Sequence, residues 1–442
     1  MMKKQIKRIV TLMLGFVLLC GAVPAEDEEI GIESLWEETD AENDEVDIES
    51  LVEEGTDEYG EDILPELPEK DSRTVKKLDN KLQSILKRYA TVGASVVVAK
   101  DGHVIYQYNY GTADKKAKHK VDDNTYFRIA SVTKFVTGIH VMQLVEKGLL
   151  DPDEDISTYL GYKVRNPWYP QIPLTLRMIM CHTTSLNPGG YYYKDEQGLK
   201  RLIVKGGKGT RSNYYHTKPG STYRYSNFAA GLMGSLIEAV TGKNVYDSIR
   251  EDLFEPLGID AAYNAGLLQD ADDVAGLYYN RKNGKTYMTR EESLAQEWDS
   301  GVDPEMHYRI TIGSMWIRAR DLCRLGAMMC AGGVCDGQRI LQEDTVREMM
   351  SVQAGKGGVT SEKTPYGLCV HREQTLLEGK TVYGHQGLYE DLLCNVYYEP
   401  ESRFVFVVAS NGCRNQMDNR VASVTRKLFQ EAWEILGEPE EE

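Results

Sequence analysis

Basic charge is the first thing this 442-residue chain runs short of. Lys and Arg number 51 against 68 Asp and Glu, a formal net charge of −17. Without a basic surplus to neutralise phosphates, nucleic acid is excluded as a partner. Long apolar runs are scarce too. Ile9–Leu19 is the longest, and it is short of the ~20 residues that a spanning helix needs, so no stable membrane span is expected. Neither a Cys-x-x-Cys nor a Cys/His cluster at metal-ligand spacing occurs, and no metal or organic cofactor is expected. Regular alternation of strand-like and helix-like segments is also missing, which argues against a parallel βαβ sheet.

What is present is unevenly spread. Lys3, Lys4, Lys7 and Arg8 precede Ile9–Leu19, and Val23-Pro24-Ala25 follows with small residues. That is the layout of a secretory signal over residues 1–25. Residues 26–70 carry 21 acidic residues against Lys70 alone. Such a segment cannot bury enough apolar surface to fold, and it reads as a disordered linker with a short repeat, Ile32-Glu33-Ser34-Leu35 and Ile48-Glu49-Ser50-Leu51. Residues 71–442 are close to neutral and are expected to form one soluble domain. The localisation expected is secreted or cell-surface, as a monomer. Cleavage would leave Cys181, Cys323, Cys330, Cys335, Cys369, Cys394 and Cys413, an odd number that cannot pair fully within one chain. Cys330 with Cys335, and Cys394 with Cys413, are the two candidate pairs; buried free thiols are the default.

Within residues 71–442, apolar periodicity predicts helices over Ser72–Tyr89, Val132–Glu146, Leu176–Cys181, Asn227–Val240, Tyr246–Phe254, Ser314–Met329, Glu343–Met350 and Arg420–Leu436. Strands are predicted over Val92–Ala99 and Val104–Tyr110 about an Asp101-Gly102 turn, and over Tyr366–Arg372, Lys380–Gly384, Leu392–Tyr398 and Phe404–Ser410. Strands at both ends with helices between them make an α+β pattern. One antiparallel sheet is flanked by helices and closed by distant segments, with a mainly helical region inserted.

The chemistry concentrates in three places. Ser131-Val132-Thr133-Lys134 opens a long apolar helix, and a Ser and Lys three apart share one helix face. The helix N-terminus favours a developing alkoxide, and the amine can take or relay its proton. A second copy, Ser84-Ile85-Leu86-Lys87, falls on a polar helix and reads as a solvated face. Tyr225-Ser226-Asn227 follows a Pro219-Gly220 turn. A nearby Lys ammonium would favour the Tyr225 phenolate as a general base, later an acid, and Asn227 offers a donor and an acceptor. Tyr278-Tyr279-Asn280 has the same pattern in a polar loop and reads as a decoy. Gly384-His385-Gln386-Gly387 follows a predicted strand. Gly387 allows close backbone approach, so the Leu388 N–H could join the Ser131 N–H as an oxyanion hole. His385 is expected to titrate near neutral pH.

Ser131–Lys134, Tyr225–Asn227 and His385–Gly387 resemble, in kind and in order, the motifs of the β-lactamase-related serine hydrolases. Ser-x-x-Lys is their signature. That superfamily includes class C β-lactamases, penicillin-binding proteins, D-alanyl-D-alanine carboxypeptidases, D-aminopeptidases and related esterases. Met180-Cys181-His182-Thr183-Thr184-Ser185-Leu186 and Leu253-Phe254-Glu255-Pro256-Leu257-Gly258 are similar to the family as well. The resemblance implies a β-lactamase/transpeptidase-like fold over residues 75–435. It makes Ser131 the acylated nucleophile, Lys134 its activator and Tyr225 a proton shuttle. Asn227 would touch the substrate amide or the Lys, and His385 and Gly387 would lie on the strand that aligns the substrate. Two departures stand out. His385 replaces the fixed Lys charge of typical β-lactamases, and Leu388-Tyr389-Glu390-Asp391 replaces the small residues that many relatives place there. The activity expected is therefore a secreted serine hydrolase acting through an acyl-enzyme. Its substrates would be small D-amino-acid peptides or amides of peptidoglycan type, or short esters. The alternatives are a β-lactamase proper and a non-catalytic cell-wall-binding protein on the same fold.

Overall fold

The structure is a computed structural model that describes residues 73–187, 198–204, 206–207, 210–279, 285–353, 366–414 and 416–437. The signal and the acidic linker expected over residues 1–70 lie outside them.

Seven strands form one antiparallel sheet. They are β1 (Gly93–Lys100), β2 (His103–Asp114), β3 (His119–Lys120), β4 (His371–Glu373), β5 (Val382–Tyr389), β6 (Leu392–Glu399) and β7 (Phe404–Ser410), in the order β4-β5-β6-β7-β1-β2-β3. The central contact joins opposite ends of the chain: β1 pairs β7 from Ala94↔Ser410 to Lys100↔Phe404. Val, Ala and Phe dominate β1 and β7, and Leu and Tyr lead in β6; all three strands are buried on both faces. Their side chains alternate between two cores, as the strand period requires. Val96, Val98, Phe404, Phe406 and Val408 face one side. Val97, Ala99, Val405 and Val407 face the other.

The first side is covered by α1 (Arg73–Arg88) and by a helix near the C-terminus, Ser423–Ala432. Val75, Leu78, Leu82 and Leu86 recur along α1 at helical spacing and are buried. The second side holds α2 (Thr133–Glu146), α3 (Asn227–Thr241) and α4 (Ala319–Cys330), with further short helices. α2 is buried almost all round, so it runs through the core. No helix among the described residues is long and apolar enough to cross a membrane.

Two local expectations are corrected. Trp316–Arg318 is a strand, paired with Tyr126–Arg128 and Ala261–Ala262, before the helix begins at Ala319; tertiary pairing overrides the helical pattern there. Tyr278 and Tyr279 lie in the strand Leu277–Tyr279, with Tyr278 buried, rather than in a polar loop. Neither candidate disulfide forms, and the default reading stands: the seven cysteines among the described residues are free, six of them buried.

Candidate active site

Ser131 lies in the 3-10 turn Ala130–Val132, which leads directly into α2. Ala130 holds φ at 45°, a left-handed conformation that costs a non-glycine residue of order 1 kcal/mol or more. Strain beside Ser131 is the pattern of a segment held by its surroundings for function. One such hold is β5. A Cβ on Gly387 would come within 2.2 Å of the Ile129 carbonyl oxygen, so only glycine lets this strand run against the Ser131 segment. β4 covers the outer edge of β5 only over Val382–Gly384. The motif Gly384–Gly387 lies inside the strand rather than after it. Leu388 is the next residue of the same strand, paired with Leu393.

Lys134 is fully buried. Its Nζ stands 3.1 Å from Ser131 Oγ and donates to the Ile312 carbonyl at 2.5 Å. Burial brings its pKa down to about 7, against a small opposing effect of the Cys369 thiol. Near neutral pH the amine is therefore available without its proton, next to the hydroxyl it would activate. The Ile312 carbonyl ends the 3-10 helix His307–Ile312, which lies tight on α3. A Cβ on Gly231 would meet the Tyr308 carbonyl oxygen at 1.9 Å, and one on Gly234 the His307 carbonyl oxygen at 2.8 Å. Buried Glu238 ties the same segment down, accepting from Asp303 N at 2.7 Å and lying 2.6 Å from His307 Nδ1.

Tyr225 sits at the mouth, 39% exposed, with Lys134 Nζ 5.3 Å from its ring centre. The expected phenolate is not what the surroundings favour. Desolvation of the hydroxyl raises its pKa, and a hydrogen bond with Ser131 offsets only part of this. Tyr225 is thus a phenol that keeps its proton and can give it up only in the reaction. The Pro219-Gly220 turn presents it, with Gly220 at φ 76° and Ser221 N bonded to Lys218 O at 3.1 Å. This is a turn that requires glycine at its second central position. Ser226 then caps α3, accepting from Ala229 N at 3.2 Å. Asn227 begins α3, and among the described residues its Oδ1 is buried with no hydrogen-bond partner, Lys134 included, so it remains an open acceptor.

His385 departs from expectation. Its ring is fully buried. Nδ1 lies 2.9 Å from the Gln386 carbonyl, and Nε2 2.7 Å from the Tyr366 hydroxyl. A carbonyl only accepts, so Nδ1 carries the hydrogen and Tyr366 donates to Nε2. Desolvation, with His371 and Lys134 nearby, pushes its pKa well below the usual histidine value. It is neutral and does not titrate near pH 7. What β5 offers a substrate at this point is backbone.

Two residues escaped sequence reasoning. His182 is buried, its ring 4.2 Å from that of Tyr225 and 4.8 Å from that of Tyr366. Its Nδ1 accepts from Ser226 N at 3.2 Å and its carbonyl from Arg224 N at 2.9 Å, so His182 fastens both sides of Tyr225. The signal was its place in Cys181-His182-Thr183, noticed only as family-like text. Tyr366 had no signal at all, since its role rests on a partner 19 residues on.

Fold and site together define a mixed α/β protein of the β-lactamase and penicillin-binding fold. The chain belongs to the beta-lactamase family, whose model matches residues 78–429. It is 25% identical over 231 residues to penicillin-binding protein 4* of Bacillus subtilis (strain 168), covering 48% of this chain and 49% of that protein. To esterase EstB of Burkholderia gladioli it is 28% identical over 198 residues, covering 41% of this chain and 50% of the esterase. The chain thus spans about half the length of these curated relatives. Among solved structures, the octameric penicillin-binding protein homologue from Pyrococcus abyssi superposes with a TM-score of 0.62 at 20% identity, over 83% of this chain and 79% of that one; this likeness concerns the fold.

Proposed function

We propose that this protein is a serine hydrolase that works through an acyl-enzyme on Ser131. Its substrates are D-amino-acid peptides or amides of the peptidoglycan type, or short esters, met outside the cytoplasm. The observation that carries the reading is the buried Lys134 amine, 3.1 Å from Ser131 Oγ, with its pKa brought to about 7. The neutral amine takes the Ser131 proton as Oγ attacks the carbonyl carbon. The oxyanion is received by the Ser131 and Leu388 N–H groups. As the tetrahedral adduct collapses, the Tyr225 hydroxyl protonates the leaving group, and the Lys134 ammonium returns a proton to Tyr225. Water then attacks the ester carbonyl, giving its proton to Lys134, and Ser131 Oγ leaves with a proton to restore the starting state. The buried, neutral His385 leaves β5 without the fixed cation of typical β-lactamases, which favours the peptidase and esterase reading. Similarity to an esterase of the family points the same way. The basic-then-apolar start of the chain supports export.

Intact-mass analysis after incubation with a fluorophosphonate and with penicillin tests this, on wild type and Ser131→Ala. A wild-type adduct that vanishes in the variant is the expected result, with turnover of a nitrophenyl ester falling by at least about three orders of magnitude. A fluorophosphonate adduct without a penicillin adduct identifies the esterase-like side of the family. Rapid β-lactam turnover would identify a β-lactamase instead. A folded wild-type sample that forms no adduct with either reagent would sink the hydrolase reading and leave the wall-binding one.

A further inference from the structure

Arg128 stands three residues before the nucleophile, on the strand Tyr126–Arg128. Its Nε donates to the Gly313 carbonyl at 3.2 Å, next to the Ile312 carbonyl that holds Lys134. Its guanidinium carbon lies 5.1 Å from the centre of the Tyr389 ring. Tyr389 in turn shares a 2.7 Å hydroxyl–hydroxyl hydrogen bond with Tyr287, and 41% of its surface is open to solvent. Among the described residues, no carboxylate comes within ion-pair distance of Arg128. Part-buried arginines ordinarily have such a partner. Desolvation lowers the Arg128 pKa, and the groups that oppose this are the Tyr389 and Tyr287 phenols, not an acid. Neither terminal nitrogen has a hydrogen-bond partner among the described residues. Two donors of a rigid fork therefore remain for an anion.

The direction of β5 says which part of a substrate would meet them. His385 has its ring 6.5 Å from that of Tyr225, Gly387 touches the Ile129 carbonyl, and Tyr389 touches Arg128. Four residues of strand cover about 13 Å. Tyr225 protonates the leaving group, so the leaving group lies at the His385 end. The Tyr389 end, beyond Leu388, then faces the acyl portion.

Resting on the acyl-enzyme reading above, we propose that Arg128, backed by Tyr389, forms an acyl-side subsite for a carboxylate a few bonds from the scissile carbonyl. The substrates it selects are acidic acyl donors, such as half-esters or half-amides of short dicarboxylic acids. The cation missing from position 385 is thereby replaced at the opposite end of the same strand. It now reads the group that stays on Ser131 rather than the one that leaves.

The test compares mono-(4-nitrophenyl) glutarate with 4-nitrophenyl pentanoate, which match in length and leaving group and differ in the carboxylate. Wild type is expected to favour the glutarate in kcat/KM by at least about tenfold, the usual effect of a bidentate Arg–carboxylate contact. In Arg128→Gln the preference should fall to near one. In Arg128→Lys, which keeps charge and stem, it should survive in part. Equal losses on both esters in Arg128→Gln would show a merely structural role and overturn the inference. So would a wild type with no preference, a result that needs no variant to fold. If folded wild type turns over neither ester, the acyl-enzyme reading falls, and this subsite with it.

Discussion

Lys134 and Ser131 were legible because a helix puts residues three apart on one face, and the structure keeps them 3.1 Å apart. What surrounds them decides the protonation states, and the sequence could not show that. The Lys134 pKa of about 7 predicts an ascending limb of kcat/KM centred near pH 7, since the base must be free; a limb near pH 10 would mean that Lys134 is not the base. The same shift has a stability consequence. The folded state binds the Lys134 proton only below about pH 7, whereas the unfolded chain binds it up to about pH 10.5. Its burial therefore destabilises the protein fully below pH 7 and progressively less as pH rises to 10.5. Between pH 7.5 and 9.5, wild type should gain on Lys134→Met by about 1.4 kcal/mol per pH unit, measured by denaturant melts; parallel curves would contradict the depressed pKa. His385 and Tyr225 show the opposite lesson. Their ionisation was expected from type and neighbours in sequence, yet Tyr366, His182 and His371 are brought against them only by the fold.

Strand β5 is where local pattern misled most. From local pattern the strand ends at Gly384, and only the family resemblance places His385 and Gly387 on it. Instead the strand runs on to Tyr389, and Gly387 is required by the Ile129 carbonyl that lies against it. Gly387→Ala should displace β5 from the Ser131 segment. The expected result is a drop in kcat/KM of about 100-fold or more, the size of losing one oxyanion donor, alongside ~1–3 kcal/mol of stability. A variant that is destabilised but fully active would remove β5 from the oxyanion site. Of the segments that were read correctly, α1 shows amphipathic spacing, while α2, α3, β1, β6 and β7 are nearly continuous apolar stretches buried all round. The strand Trp316–Arg318 was missed because its three residues pair with chain almost 190 residues earlier.

At the scale of the whole molecule, the two-sided sheet was readable from strands at both ends of the chain, and the default reading of buried free thiols holds as well. A Gly-Gly turn between Cys330 and Cys335, and predicted adjacent strands for Cys394 and Cys413, made these the candidate pairs, but all four are free, and burial raises the pKa of each. Thiolates are the reactive form, so a thiol reagent should modify at most Cys330 in native 71–442 protein, and all seven in guanidinium without reductant. Fewer than seven under denaturing conditions would reveal a disulfide. The pairing of β1 with β7 carries a last consequence. Strand β1, beside the centre of the sheet, waits for a partner made some 310 residues later. A chain emerging from the ribosome can form α1, α2 or α3, but it has nothing to close against until almost its last forty residues are out. Loop closure over that span is slow. Premature stop codons anywhere before residue 404 would therefore not yield a smaller working enzyme. They would leave a nascent chain in which β1 stays open on the side that β7 covers.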